Sequence, residues 1–108
     1  MINGESQITT TVNLPSVEAV CRQAAESLPL YGHVVMQVIV DGSGHVHLIE
    51  CNARFGGAST LSVAAGLDSF YWFLLESTGV DIAHHPFTYD PTRPLRQIRH
   101  AADVVQQA

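Results

Sequence analysis

Between residues 15 and 28 the apolar positions Val17, Val20, Cys21, Ala24 and Leu28 recur at i, i+3, i+4, i+7 and i+11. That is one stripe of a helix, and Glu18, Arg22, Gln23 and Glu26 lie off it. Pro15 and Ser16 open the helix, and Pro29 and Gly32 stop it. Upstream, "SQITTTV" (6–12) is β-branched with polar outward positions, which predicts an edge strand. Downstream, "HVVMQVIV" (33–40) is apolar on both faces and predicts a central, covered strand. "DGSG" (41–44) signals a hairpin turn, from which "HVHLIECN" (45–52) returns as the antiparallel partner.

The loop "ARFGGAS" follows, then a short helix at about 60–65 ended by Gly66. Asp68 is placed to cap the next helix, "SFYWFLLEST", with Gly79 just past its end. "FYWFLL" is apolar all round, which predicts a nearly buried helix. Val80 to Pro94 reads as irregular, and "LRQIRHAADVVQ" suits a last strand or a helix equally. The order strand–helix–hairpin–helices–strand predicts an α+β fold, an antiparallel sheet with helices packed on it.

Composition narrows the function classes. A length of 108 residues allows one domain at most, and an apolar fraction of 46% argues against disorder. Ten acidic residues against five arginines, with no lysine, give a formal charge of −5 and argue against a nucleic-acid surface. The basic cluster "RPLRQIRH", Arg93 to His100, reads as a solvated strand or a partner contact. Cys21 and Cys51 lack metal-like spacing and are too few for a secreted disulfide scaffold. The N-terminus "MINGESQITTTV" carries no basic-then-apolar signal, and no apolar run approaches the ~20 residues of a membrane span. The expected compartment is reducing and cytoplasmic.

The chemistry concentrates in "HLIECNARFGGAST", residues 47–60. Regular alternation puts Val46, Leu48, Glu50 and Asn52 on one face of the returning strand. A two- or four-residue hairpin loop sets Gln37 opposite Leu48, diagonal to Glu50 at roughly 7–8 Å or less. A three-residue loop shifts the register and turns Gln37 to the other face. The first arrangement gathers a carboxylate and two amides, oxygen donors suited to Mg²⁺ or Mn²⁺ alongside nucleotide phosphates. Arg54 offers a planar fork for phosphate oxygens. Gly56 and Gly57 remove side chains where backbone must come close, and Ser59 or Thr60 is placed to cap the helix that follows.

Several other candidates read as structural. His84-His85 is a loop pair, since adjacent side chains on irregular chain seldom converge on a metal. His45 and His47 share a strand face and suit zinc by spacing, but facing solvent or a helix layer accounts for them. Cys51 lies off the Glu50 face with no activating base and reads as a core thiol. No Ser–His–Asp arrangement is recognisable.

"QVIVDGSGHVHLIECNARFGGASTLSVAAGLD", Gln37 to Asp68, resembles the second half of an ATP-grasp catalytic domain, nearest its carbamoyl-phosphate-synthase-like branch. That pattern has a metal-binding Gln or acid on one strand, E-x-N-x-R-x-x-G on the next, then a small-residue loop and "AAG". Gln37, Glu50, Asn52, Arg54, Gly57 and Ala64–Gly66 occupy those positions, with Cys51 where the family more often has Ile or Val. "GESQITTTV" and the helix after it resemble what precedes the hairpin, so the likeness covers about residues 4–78.

The resemblance implies that Glu50 and Asn52 bind the metals bridging the β- and γ-phosphates of ATP, with Gln37 assisting. It implies that Arg54 holds the phosphate or an acyl-phosphate intermediate, and it makes Gly56, Gly57 and Ser59 phosphate-loop residues. The family's adenine pocket, glycine-rich loop and lysines would lie upstream. Residues 1–108 are therefore expected to form a single partial domain, the C-terminal portion of an ATP-grasp fold. ATP and Mg²⁺ are expected only in the complete domain, and the isolated chain is expected to be inactive. The expected partner is the missing N-terminal part or a split-gene subunit, with self-association of the isolated chain and neither nucleic acid nor membrane. The competing expectation is a non-catalytic remnant that serves as a binding or oligomerisation module.

Overall fold

A computed structural model describes residues 2, 4, 6–85 and 89–107 of the chain. The elements run β1 (Ile8–Thr10), α1 (Pro15–Ser27), β2 (Val35–Val40), β3 (Val46–Asn52), α2 (Ser59–Ala64), α3 (Ser69–Ser77) and β4 (Arg96–Ile98). The fold is α+β, and among the described residues the strands make two antiparallel pairs, β1–β4 and β2–β3. The sequence 95–106, open between strand and helix, contributes the strand β4.

Helix α1 starts at Pro15, whose fixed φ suits the first helical turn. Most of its predicted stripe faces inward: Val17, Val20, Cys21 and Ala24 are half-buried while Glu18, Arg22, Gln23 and Glu26 are exposed, but Leu28, beyond the last helical turn, is exposed as well. Helix α1 meets the hairpin chiefly at β3 rather than lying on a broad sheet. Among the described residues strand β2 is not central: it has one strand partner, and its outward residues Gln37 and Ile39 are exposed. Among the described residues the two-sided apolar pattern of 33–40 meets no second covering layer.

Helix α3 departs from expectation in the same sense. Phe70, Tyr71, Phe73 and Leu74 are between 44% and 62% exposed, and only Ser69 is buried. One side of the helix is used: Phe55 stacks on Phe70 at 3.9 Å between ring centroids and meets Phe73 edge-on at 6.0 Å. Tyr71 and Leu74 stay open to solvent, whereas Trp72 and Leu75 are half-buried. Asp68 occupies the N-cap position, but its side chain makes no capping hydrogen bond.

The accessible surface is 8490 Å², whereas a compact monomer of this mass exposes about 5,900 Å². The radius of gyration is 16.1 Å, against about 13 Å for a compact domain of this length. Burial is deepest where α2 begins, at Ser59 and Leu61. Among the described residues no helix is long and apolar enough to cross a membrane.

Candidate functional site

The hairpin closes with three residues. Asp41 donates its N–H to the His45 carbonyl at 3.0 Å, and Gly44 donates back to the Asp41 carbonyl at 3.0 Å. Gly44 sits at φ 86°, the left-handed position such a loop requires. Asp41 Oδ1 further accepts from the N–H groups of Ser43 and His45 at 2.9 and 3.0 Å. This is the loop length that turns Gln37 away from Glu50 in a regular ladder. The ladder is not regular. Val40, Ile39 and Val38 pair with Val46, His47 and Leu48, then the register slips and Gln37, Met36 and Val35 pair with Glu50, Cys51 and Asn52.

Ile49 is the extra residue, and the bulge reverses the face of everything beyond it. Directly opposed residues share a face. One side of the hairpin thus carries Met36, Val38, Val40, Val46, Leu48 and Cys51, and the other carries Val35, Gln37, Ile39, His47, Glu50 and Asn52. Two expectations change. Gln37 stands directly opposite Glu50 rather than diagonal to it, and Val46 and Leu48 do not share the Glu50 face. The three oxygen-bearing side chains do share one face, by way of the bulge.

Glu50 and Gln37 are exposed and Asn52 is half-buried. Asn52 Nδ2 donates to Glu50 Oε1 at 2.9 Å, which aligns the amide beside the carboxylate and leaves Asn52 Oδ1 and Glu50 Oε2 as open donors toward a cation. The chain then leaves the strand in a tight turn, with Arg54 N–H donating to the Asn52 carbonyl at 2.9 Å. Among the described residues the Arg54 guanidinium has one hydrogen bond, from Nη1 to the Phe55 carbonyl at 3.2 Å, and the side chain is exposed. Most of its fork is therefore open to an anion.

The glycine loop folds back over this same face. A Cβ on Gly56 would lie 3.1 Å from Cγ2 of Val35, the residue paired with Asn52. Phe55 anchors the turn by stacking on Phe70 and lying 4.3 Å from the His33 ring. Burial of His33 lowers its pKa below the ordinary histidine value. Ser59, expected as a cap and phosphate ligand, is buried, and its Oγ accepts the Gly56 N–H at 2.9 Å. The N-cap of α2 is Ala58, without a side-chain cap, so the Ser59 hydroxyl closes the loop from within. Thr60 Oγ1 accepts from Gln97 Nε2 at 2.7 Å, and Gly57 O accepts from Arg99 Nη2 at 2.8 Å.

Phe55, Gln97 and Arg99 are supports that sequence reading did not single out. Their signal is faint: Gln97 and Arg99 alternate within the basic cluster, both half-buried where a solvated strand would expose them. At the other end of the hairpin His47 Nε2 and His45 Nδ1 lie 2.8 and 3.6 Å from Asp41 Oδ2. The His47 hydrogen bond, then the His45 N–H, lowers the Asp41 pKa. Among the described residues no group of three or more His, Cys, Asp or Glu side chains is arranged to hold a metal ion. The ring of His85 meets Tyr71 edge-on, as a packing residue, and Cys21 and Cys51 are free thiols.

A family model described as "ATP-grasp in the biosynthetic pathway with Ter operon" matches residues 2–100. No curated protein and no solved structure matches the chain. The match spans both strand pairs and all three helices, and it includes every residue of the hairpin and glycine loop. The chain belongs to the ATP-grasp family.

Proposed function

We propose that the exposed face of the β2–β3 hairpin holds Mg²⁺ or Mn²⁺ against the phosphates of ATP. On this reading the chain supplies that part of the site in an ATP-dependent carboxylate–amine ligase of carbamoyl-phosphate-synthase-like type. The observation that supports it is the direct opposition of Gln37 and Glu50, with Asn52 tied to Glu50, on a face open to solvent. The donor set fits a hard cation: one carboxylate and two amides, with no thiol or imidazole required. Such a cation neutralises charge on the phosphates. Arg54, the candidate catalytic residue, adds a fork for the oxygens of the transferring group, where charge is spread in the transition state. Gly56 and Gly57 let backbone approach the same oxygens.

The chain carries only part of this site. It has no lysine to meet the phosphates, and its accessible surface exceeds that of a compact monomer by about 2,600 Å². A further ATP-grasp portion, on the same polypeptide or on a separate subunit, covers that surface and completes the nucleotide pocket. In its absence the isolated chain is inactive and self-associates; sedimentation at ~100 µM reads this, and a monomer contradicts it. The remnant reading finds less support, because Glu50 and Arg54 stand open rather than engaged in packing. The family description, a biosynthetic pathway, agrees with ligase chemistry.

Titration of ATP with and without Mg²⁺, followed by amide NMR, tests the assignment. The expected result is a Mg²⁺-dependent response at residues 50–58, millimolar or weaker, lost in Glu50→Gln. A response indifferent to Mg²⁺ contradicts the cation site, and micromolar affinity contradicts the partial pocket.

A further inference from the structure

Arg99 lies just beyond β4, yet it reaches the glycine loop. Its Nη2 donates to the Gly57 carbonyl at 2.8 Å, its Nε to the Ser6 carbonyl at 3.2 Å, and its backbone N–H to the Gln7 carbonyl at 2.8 Å. One guanidinium therefore ties the loop to the start of β1. Two residues earlier on the same side of β4, Gln97 holds Thr60 Oγ1 at 2.7 Å. The β1–β4 ribbon thus grips the loop at Gly57 and the first turn of α2 behind it at Thr60, while the Gly56–Ser59 bond closes the loop from inside. The loop is held on both flanks without use of Arg54.

Peptide planarity gives the grip a consequence. The unit joining Gly57 to Ala58 is trans, so its N–H points opposite to its carbonyl. With the Gly57 carbonyl held toward Arg99, the Ala58 N–H is turned away from the ribbon. Glycine alone at position 57 would leave that peptide free to rotate, because it carries the widest backbone freedom. A Cβ there would lie 3.5 Å from Arg99 Nη2, ordinary contact, so the guanidinium already packs against this residue. We propose that Arg99, seconded by Gln97, is a positioning residue that fixes the Gly57–Ala58 peptide in the orientation that meets a polyphosphate. The proposal rests on the phosphate reading of the loop given above. It gives Gln97 and Arg99 a role in the site from across the chain.

The test uses the full chain, labelled for NMR, with inorganic triphosphate as the probe. Without ligand, Arg99→Ala is expected to shift the Gly57 carbonyl carbon and the Ala58 amide nitrogen. The apparent affinity for triphosphate at those signals is expected to fall about tenfold, the size of one lost hydrogen bond to a charged donor. Mn²⁺ broadening at Glu50 and Asn52 is expected to persist in the variant. Arg96→Ala removes the same charge from the same strand, where Nε binds Thr10 Oγ1 instead of the loop, and it is expected to leave the Gly57 and Ala58 signals in place. Equal losses in the two variants would show only a diffuse charge effect and overturn the proposal. So would an Arg99→Ala chain with unmoved Gly57 and Ala58 signals and native affinity. Should that variant lose its dispersed spectrum, Arg99→Lys carries the test, since it keeps the charge and loses the fork. An unmoved Gly57 carbonyl in Arg99→Lys overturns the proposal equally. Failure of the phosphate reading is distinguishable, because it appears in the native chain as Gly57 and Ala58 signals that ignore triphosphate.

Discussion

Gln37 and Glu50 face each other across the hairpin because one residue, Ile49, is inserted between the two halves of the ladder. Were Ile49 paired in a regular ladder instead of bulged, the three-residue turn would set Gln37 against it, and the amide would look to the side opposite Glu50. Turn and bulge compensate each other, and together they gather the oxygen donors.

The register carries its own test. In a chain with Cys21 and Cys51 replaced by serine, the pair Gln37→Cys and Glu50→Cys is expected to form a disulfide on mild oxidation. Facing positions in an antiparallel pair hold their Cβ atoms about 4.5–5.5 Å apart, and a small adjustment brings them within bonding range. The pair Gln37→Cys and Ile49→Cys is expected to stay reduced. Mass spectrometry after proteolysis reads both. Deleting Ile49 outright is expected to keep the 37–50 disulfide, because the ladder then runs regularly into the same pairing.

The approach of the glycine loop to β2 predicts a packing cost. In Gly56→Ala the new methyl carbon meets Val35 Cγ2 at 3.1 Å, and a β-branched strand residue has little rotamer freedom with which to yield. Destabilisation of about 1–3 kcal/mol is expected, measured by urea unfolding. Val35→Ala in the same chain is expected to return part of it, since the clash is with that side chain.

His33 predicts a pH dependence of defined sign. Burial against Phe55 favours its neutral form, so its pKa in the fold lies below the ordinary 6.5 while the unfolded chain titrates there. The unfolded state then binds the proton first on acidification. Stability is full above the ordinary histidine range and falls as the pH drops through it toward the lowered folded value. The urea midpoint is expected to decline over that window. In His33→Phe, which keeps a ring against Phe55, this part of the decline is expected to vanish.

Local pattern carried much of the fold. The α1 stripe, Pro15 at its start, the "DGSG" turn and the helix ends at Gly66 and Gly79 follow from periodicity and backbone freedom within a few residues. The bulge at Ile49 left only a faint mark, two apolar residues in succession at Leu48 and Ile49 where the alternation changes phase. The aromatic run of α3 showed apolarity but could not show what covers it, and its outer face is open. Pairing of β1 with β4 joins residues some ninety positions apart, beyond any local window. The candidate site was legible as residue types at strand spacing. Its supports, Phe55, Gln97 and Arg99, act through the tertiary fold and became visible only there.

The most direct measurement is paramagnetic broadening by Mn²⁺ of the labelled native chain and of its Glu50→Gln and Asn52→Ala variants. The account predicts broadening centred on Gln37, Glu50 and Asn52, displaced by excess Mg²⁺ and lost in both variants. Broadening centred instead on Asp41, His45 and His47 at the hairpin tip, or none at the Gln37–Glu50 pair, would contradict it.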